Sequence, residues 1–118
     1  MIWLVPRSAN LLRRKYRNPH AYARMRDEWS WNLMAAATLN ERHALKQFPK
    51  TMKRTKIDIH VQHSRLFDRD NLWASVKPIL DSMKNLHWIT DDSDEEIELQ
   101  VTQGKAQPDK TVIKLELL

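Results

Sequence analysis

Apolar residues recur with two different spacings along this chain, and that contrast restricts the fold more than any other property of the sequence. In residues 22–37 and 72–83 they recur every three or four positions. In residues 57–61, 97–101 and 113–117 every second residue is apolar. The first spacing is typical of one face of an α-helix, and the second of a half-buried strand. With a short strand at residues 2–5, the pattern predicts the order β-α-β-α-β-β.

The first helix has a clear expected start. Asn18 is a favourable N-cap residue, and Pro19 suits the first helical position because its missing N–H has no partner there in any case. We expect this helix to continue to about residues 44–47, ahead of Pro49.

The second helix is expected to end near Asn85 and contains Pro78. A proline inside a helix predicts either a kink there or a regular part that starts near Val76. Residues 103–110 hold the only glycine and a proline, and we predict that they form a hairpin loop between the last two strands.

The length of 118 residues predicts one domain spanning residues 1–118, an α+β fold with a mixed sheet and two main helices. There is no cysteine, which excludes disulfides, a cysteine zinc site and thiol catalysis. We expect a cytoplasmic location, since Pro6 interrupts the short apolar start. No stretch approaches the roughly 20 apolar residues of a membrane span, so no membrane association is expected.

Charge is divided unequally between the two halves of the chain. Residues 1–56 carry 13 Lys/Arg and 3 Asp/Glu, a net charge of +10, whereas residues 57–118 carry 7 and 12, a net charge of −5. A basic half suits a polyanionic partner such as a nucleic acid. The acidic half of a nucleic-acid-binding chain is explained if its carboxylates hold a cation.

The central acidic motif is Asp68-Arg69-Asp70-Asn71. In an extended segment, residues i and i+2 point the same way, so Asp68 and Asp70 could converge on one Mg²⁺ or on two ions. Asp91 and Asp92 are the candidates for a third carboxylate. Mg²⁺ prefers oxygen ligands and keeps several waters beside one or two carboxylates.

Hydrolysis of a phosphodiester requires such an arrangement, because the metal activates a bound water and neutralises developing negative charge. Asn71 could donate a hydrogen bond that holds one carboxylate in place. Lys77 could reach the scissile phosphate as a positive charge.

Each feature also has an ordinary structural interpretation. Asp70 or Asn71 could simply cap the second helix. The run at residues 91–96 could be a solvated acidic loop. Lys77 and Asp81, four residues apart, could form a helix-surface ion pair.

Basic side chains are the candidates for phosphate contacts. For any one of them, a solubilising surface charge is the alternative. The candidates are Arg13, Arg14, Lys15, Arg17, Arg24, Lys53, Arg54, Lys56, Arg65 and Arg69.

The order of the motifs resembles the RusA family of Holliday-junction resolvases. Residues 68–72 read DRDNL, residues 77–83 read KPILDSM and residues 88–93 read WITDDS. The family shows D-x-D-N-L, then K-P-x-L-D-x-L, then W-x-x-D-D. Pro6, Ser8 and Asn10 are similar to its N-terminal P-x-S-x-N segment. The likeness is specific over residues 67–93, and residues 73–75 look like a three-residue insertion ahead of the lysine.

This resemblance implies a RusA-like fold and roles for five residues. Asp68 and Asp70 match the paired metal-binding aspartates, Asp92 matches the third essential carboxylate with Asp91 beside it, and Lys77 matches the catalytic lysine. The family uses Mg²⁺ or Mn²⁺ and is homodimeric. The substrate also favours a two-fold dimer, because a single carboxylate cluster cannot reach both of the symmetric DNA strands that must be cut in a junction.

We therefore expect a metal-dependent endodeoxyribonuclease that resolves four-way junctions and other branched DNA by paired cuts, in recombination and repair. The main alternative is a nucleic-acid-binding protein of the same fold without catalysis. A D-x-D nucleotide-sugar transferase is disfavoured, because the chain is short for a donor domain and has no glycine-rich phosphate loop.

Overall fold

Strands with one apolar side must bury that side against helices, and the chain builds this arrangement from seven main elements. The computed structural model describes residues 1–6, 19–51, 53–91, 93 and 95–118. A short 3₁₀ turn at Phe48–Thr51 precedes the second strand. The elements are β1 (Ile2–Leu4), α1 (Pro19–Ala36), α2 (Leu39–Gln47), β2 (Thr55–His63), α3 (Arg69–Asn85), β3 (Ile97–Lys105) and β4 (Lys110–Leu117).

The four strands form one mixed sheet in the order β1-β4-β2-β3. β2 and β3 are parallel, with a register from Thr55 opposite Ile97 to His63 opposite Lys105. β4 is antiparallel to both β1 and β2. The prediction of an α+β fold with a mixed sheet is confirmed.

The core lies between one face of the sheet and the helices. In β2, Ile57, Ile59 and Val61 are buried, whereas the residues between them are half-buried or exposed. Trp29 of α1 and Met83 of α3 are fully buried in the same cluster. The alternation read from the sequence therefore identifies the buried face of the sheet correctly.

The expected single helix from Asn18 to residues 44–47 is wrong, because α1 ends at Ala36 and α2 begins at Leu39. The break is a capping box, in which the Thr38 side chain accepts from the Glu41 N–H (3.1 Å) and Glu41 accepts from the Thr38 N–H (2.8 Å). Asn18 lies outside the described residues.

Pro78 lies within α3, which begins seven residues before Val76, so the alternative of a regular part starting near Val76 is wrong. Two polar contacts attach this helix to α1. The Tyr22 hydroxyl donates to Asp81, and the Ser82 hydroxyl donates to the Arg26 carbonyl (2.8 Å).

The predicted hairpin between the last two strands is also wrong, because β3 and β4 lie on opposite sides of β2. The connection after Lys105 instead crosses the end of β2. There the Ala106 N–H donates to the His63 carbonyl (3.0 Å), and the Gln62 side chain donates to the Pro108 carbonyl (2.8 Å). Within the described residues, no helix combines the length and the apolar character that crossing a membrane requires.

Candidate functional site

Asp68 immediately precedes α3. Its backbone is extended (φ −69°, ψ 167°), and its Oδ1 accepts from the Asn71 N–H at 2.9 Å, so it is the N-cap. Asn71 Nδ2 donates to the other carboxylate oxygen, also at 2.9 Å. The capping role therefore falls on Asp68 and not on Asp70 or Asn71, and the predicted hydrogen bond from Asn71 to a motif carboxylate is present.

Asp70 lies in the first turn of α3 and is exposed. The expectation that Asp68 and Asp70 share an extended segment is therefore wrong, because only Asp68 has extended geometry. Both carboxylates nevertheless lie at the amino end of a helix, where the aligned peptide dipoles favour negative charge.

Lys77 is exposed on α3 seven residues after Asp70. Seven residues are close to two helical turns, so the two positions share one stripe about 10.5 Å apart along the axis. Lys77 lines a surface cavity of about 500 Å³ between α3 and the start of β3, together with Trp73, Ile97 and Leu99. Asp81, the alternative partner considered for Lys77, pairs instead with Lys84 at 3.4 Å.

Asp91 lies in the segment between the end of α3 and the start of β3. The Ile97 N–H donates to the Ser93 carbonyl (3.0 Å), which ties this acidic segment to the first residue of β3. Phe67, next to Asp68, is bonded to Gln103, six residues further along the same strand. The two attachment points are therefore about 20 Å apart at 3.3 Å per residue.

That separation matters because ligands of one Mg²⁺ each lie about 2.0–2.1 Å from the ion, and paired ions are only about 3.5–4 Å apart. Among the described side chains, no three of the His, Asp and Glu type come together as a metal-binding group. Asp92, the predicted third carboxylate, lies outside the described residues. Of the predicted metal-binding carboxylates, Asp68 and Asp70 are the two that lie at the amino end of α3.

The basic residues predicted to contact phosphate lie in separate parts of the structure. Arg65 and Arg69 are exposed and flank Asp68 in sequence, and Arg24 is exposed on α1. Four further candidates lie outside the described residues: Arg13, Arg14, Lys15 and Arg17.

Lys53, Arg54 and Lys56 lie at the start of β2, at the opposite end of the sheet from Asp68. Lys56 is in register with Glu98 of β3 and with Glu116 of β4. The Arg54 guanidinium donates to the carbonyl of Ile97, the residue that follows the acidic run. Glu96, whose carbonyl accepts from the Thr55 N–H at 3.1 Å, therefore lies at the same end of the sheet as these three cations.

Sequence reasoning missed the side chains that hold the loop ahead of Asp68. Gln103 and His63 occupy positions where the alternation of their strands calls for an apolar residue, and His63 is 4% exposed. A polar residue in an inward-facing position needs a hydrogen-bonding partner. These two polar residues in otherwise apolar positions were the feature of the sequence by which the attachment of the loop could have been found.

Comparisons with models of protein families, with curated proteins and with solved structures found no match. The likeness to the RusA family therefore depends on the residues and motifs of the sequence itself.

Proposed function

We propose that this chain is a Mg²⁺- or Mn²⁺-dependent endodeoxyribonuclease of the RusA type that cuts branched DNA such as four-way junctions, in recombination and repair. The observation that carries the proposal is the start of α3. There an exposed aspartate held by Asn71 is followed by a second exposed aspartate, with Lys77 on the same stripe of the helix. The motif order in the sequence supports the same conclusion.

The carboxylate oxygens at the start of α3 are the type of donor that a hard divalent cation takes. A carboxylate has about four lone-pair positions, and Asn71 occupies two of those of Asp68. The remaining positions of Asp68, with the carboxylate of Asp70, supply the one or two protein ligands that Mg²⁺ accepts beside water and substrate phosphate. When bound, the ion would activate water for attack and neutralise charge on the phosphate.

The chain's own contribution is to hold and orient the DNA strand. Arg65 precedes the two aspartates, Arg69 lies between them, and both offer guanidinium groups that match phosphate geometry. Lys77 lies on the same stripe of α3 as Asp70, about 10.5 Å along the axis, and its long flexible side chain can span part of that distance. We assign these three cations to the phosphates on either side of the scissile bond.

Paired cuts require two such sites. A homodimer with two-fold symmetry presents one aspartate pair to each of the two equivalent strands of a junction. We therefore propose a homodimer as the active form.

The test is incubation of the purified chain with a synthetic four-way junction and with linear duplex, in Mg²⁺, in Ca²⁺ and in EDTA. We expect Mg²⁺-dependent cuts in the junction at paired positions. Asp70→Asn should remove cleavage while junction binding persists. Asp27→Asn, which neutralises an exposed aspartate on α1, is the matched control and should cut normally. Loss of binding together with cleavage would argue against a role of Asp70 in hydrolysis.

A second candidate function is non-catalytic binding of nucleic acid, and the position of Asp91 favours it. Its segment is attached to β3 about 20 Å from the attachment of the Asp68 loop, beside the basic start of β2. We infer that Glu96, whose carbonyl bonds to the Thr55 N–H, offsets part of the positive charge at the start of β2. A wild-type chain that binds a junction but leaves it intact in both Mg²⁺ and Mn²⁺ would establish this alternative.

A further inference from the structure

The loop of residues 64–67 connects β2 to α3 and determines where Asp68 lies. One side chain of β3 fixes its last residue. Gln103 Oε1 accepts from the Phe67 N–H at 3.0 Å, and Gln103 Nε2 donates to the Phe67 carbonyl at 2.9 Å. Both backbone polar groups of the residue before Asp68 are therefore bonded to a single amide on the sheet.

The same amide also bonds to a buried histidine. Because Gln103 Nε2 donates to a carbonyl, its orientation is fixed and Oε1 must be the acceptor. His63 Nε2, 3.1 Å from that oxygen, therefore carries a proton and donates it. The His63 ring also packs on Phe67, with centroids 4.5 Å apart. His63, Gln103 and Phe67 thus form a closed set of contacts between the sheet and the loop.

A second attachment holds the other end of the loop. The Ser64 N–H donates to Asp109 Oδ1 at 3.2 Å, and Asp109 belongs to the connection that crosses the end of β2. Between these two attachments, Arg65 and Leu66 are exposed. The position of Asp68 therefore depends on Gln103 more directly than on any other side chain of β3 that the structure describes.

We propose that Gln103 is a positioning residue for the aspartates at the start of α3, so that its loss weakens metal binding. This inference rests on the proposed function. Mg²⁺ requires near-ideal octahedral geometry, and its ligands must be held to within about 0.5 Å. A loop released from Gln103 must be ordered again when the metal binds, and that ordering opposes binding. Outer-shell partners of metal ligands typically contribute about 10–100-fold in affinity or activity.

The test compares Gln103→Met with Gln100→Met. Methionine has a similar length but cannot form the two bonds to Phe67. Gln100 lies on the same strand with an exposed side chain, so its replacement controls for a change in strand composition. Three quantities are measured in both variants: hydrogen exchange of the Phe67 amide, the Mg²⁺ concentration for half-maximal cleavage of a four-way junction, and the cleavage rate at saturating Mg²⁺.

For Gln103→Met we expect faster exchange at Phe67 and a half-maximal Mg²⁺ concentration raised about 10–100-fold, with the rate largely recovered at saturating Mg²⁺. If Gln103 only supported the fold, its loss would leave less of the protein folded. The cleavage rate at saturating Mg²⁺ would then fall, but the Mg²⁺ concentration for half-maximal cleavage would be unchanged. Gln100→Met should match the wild type in all three measurements.

The outcomes separate this inference from the proposed function. If the wild type shows no metal-dependent cleavage, the proposed function is overturned and this inference with it. If the wild type cuts and Gln103→Met has the Mg²⁺ requirement of Gln100→Met, only the role of Gln103 is overturned. If Gln103→Met does not fold, Gln103→Glu decides by the same assay. It keeps the acceptor for Phe67 but loses the donor, so an unchanged Mg²⁺ requirement would refute the inference.

Discussion

Asp68 caps α3, and we propose that it also binds metal; two substitutions at this position separate the cap from the proposed metal role. Asparagine is neutral but caps helices about as well as aspartate, whereas alanine is neutral and cannot cap. Asp68→Asn keeps an acceptor for the Asn71 N–H, and Asp68→Ala removes it. The two variants therefore differ in the cap but share the loss of charge.

The expected stabilities follow from these contacts. Loss of the cap costs about 1 kcal/mol, and loss of the charge near the helix dipole about 0.5 kcal/mol. Unfolding entropy of about 2.1 cal/mol/K per residue over a chain of this length corresponds to a shift in Tm of about 4 °C per kcal/mol. Asp68→Ala should therefore lower Tm by about 6 °C, and Asp68→Asn by about 2 °C.

Cleavage should respond to charge alone. Both variants should cut a four-way junction at least about 100-fold more slowly than the wild type, since removal of a metal ligand should cost no less than removal of its outer partners. Thermal unfolding in EDTA and cleavage in Mg²⁺ measure the two effects separately. Wild-type cleavage by Asp68→Asn would refute the metal role, and equal instability of the two variants would refute the account of the cap.

Three further predictions concern other parts of the molecule. Lys77→Met should slow cleavage at least about tenfold while stability changes by less than about 0.5 kcal/mol, because the side chain is exposed; unchanged cleavage would remove Lys77 from the site. Asp91→Asn should leave the Mg²⁺ requirement for cleavage unchanged, because its segment is attached to the far end of β3; a raised requirement would mean that Asp91 joins the metal site. Thr38→Ala should cost about 1 kcal/mol through loss of the capping box, lowering Tm by about 4 °C. A melting temperature equal to that of the wild type would contradict the role of Thr38 in separating α1 from α2.

Much of the secondary structure was predictable because it depends on local patterns. A spacing of two placed β2, β3 and β4, and a spacing of three to four residues placed α1 and α3. The break between α1 and α2 was also encoded locally, as Thr38 followed three positions later by Glu41, but the continuous helical spacing concealed it. The hydrogen bond from Asn71 to Asp68 was predictable for the same reason, since the two residues are three apart.

Long-range arrangement could not be read from these patterns. The hairpin expected between β3 and β4 fails because both strands pair with β2, and alternation within a strand carries no information about its neighbours. Likewise, the positions of Asp68 and Asp91 in the chain gave no measure of the distance between them. The parallel pairing of β2 and β3 makes α3 a crossover, so its two ends lie toward opposite ends of the sheet.

The sequence by itself determined the apolar faces of β2, β3, β4, α1 and α3, and which acidic and basic side chains are available for chemistry. These properties depend on side-chain type and near neighbours along the chain. Only the tertiary structure decided the strand order and the attachment of the loop ahead of Asp68 to Gln103. Both features depend on pairing between strands distant in sequence, which brings Phe67 to Gln103 and places Ile97 at the other end of β3.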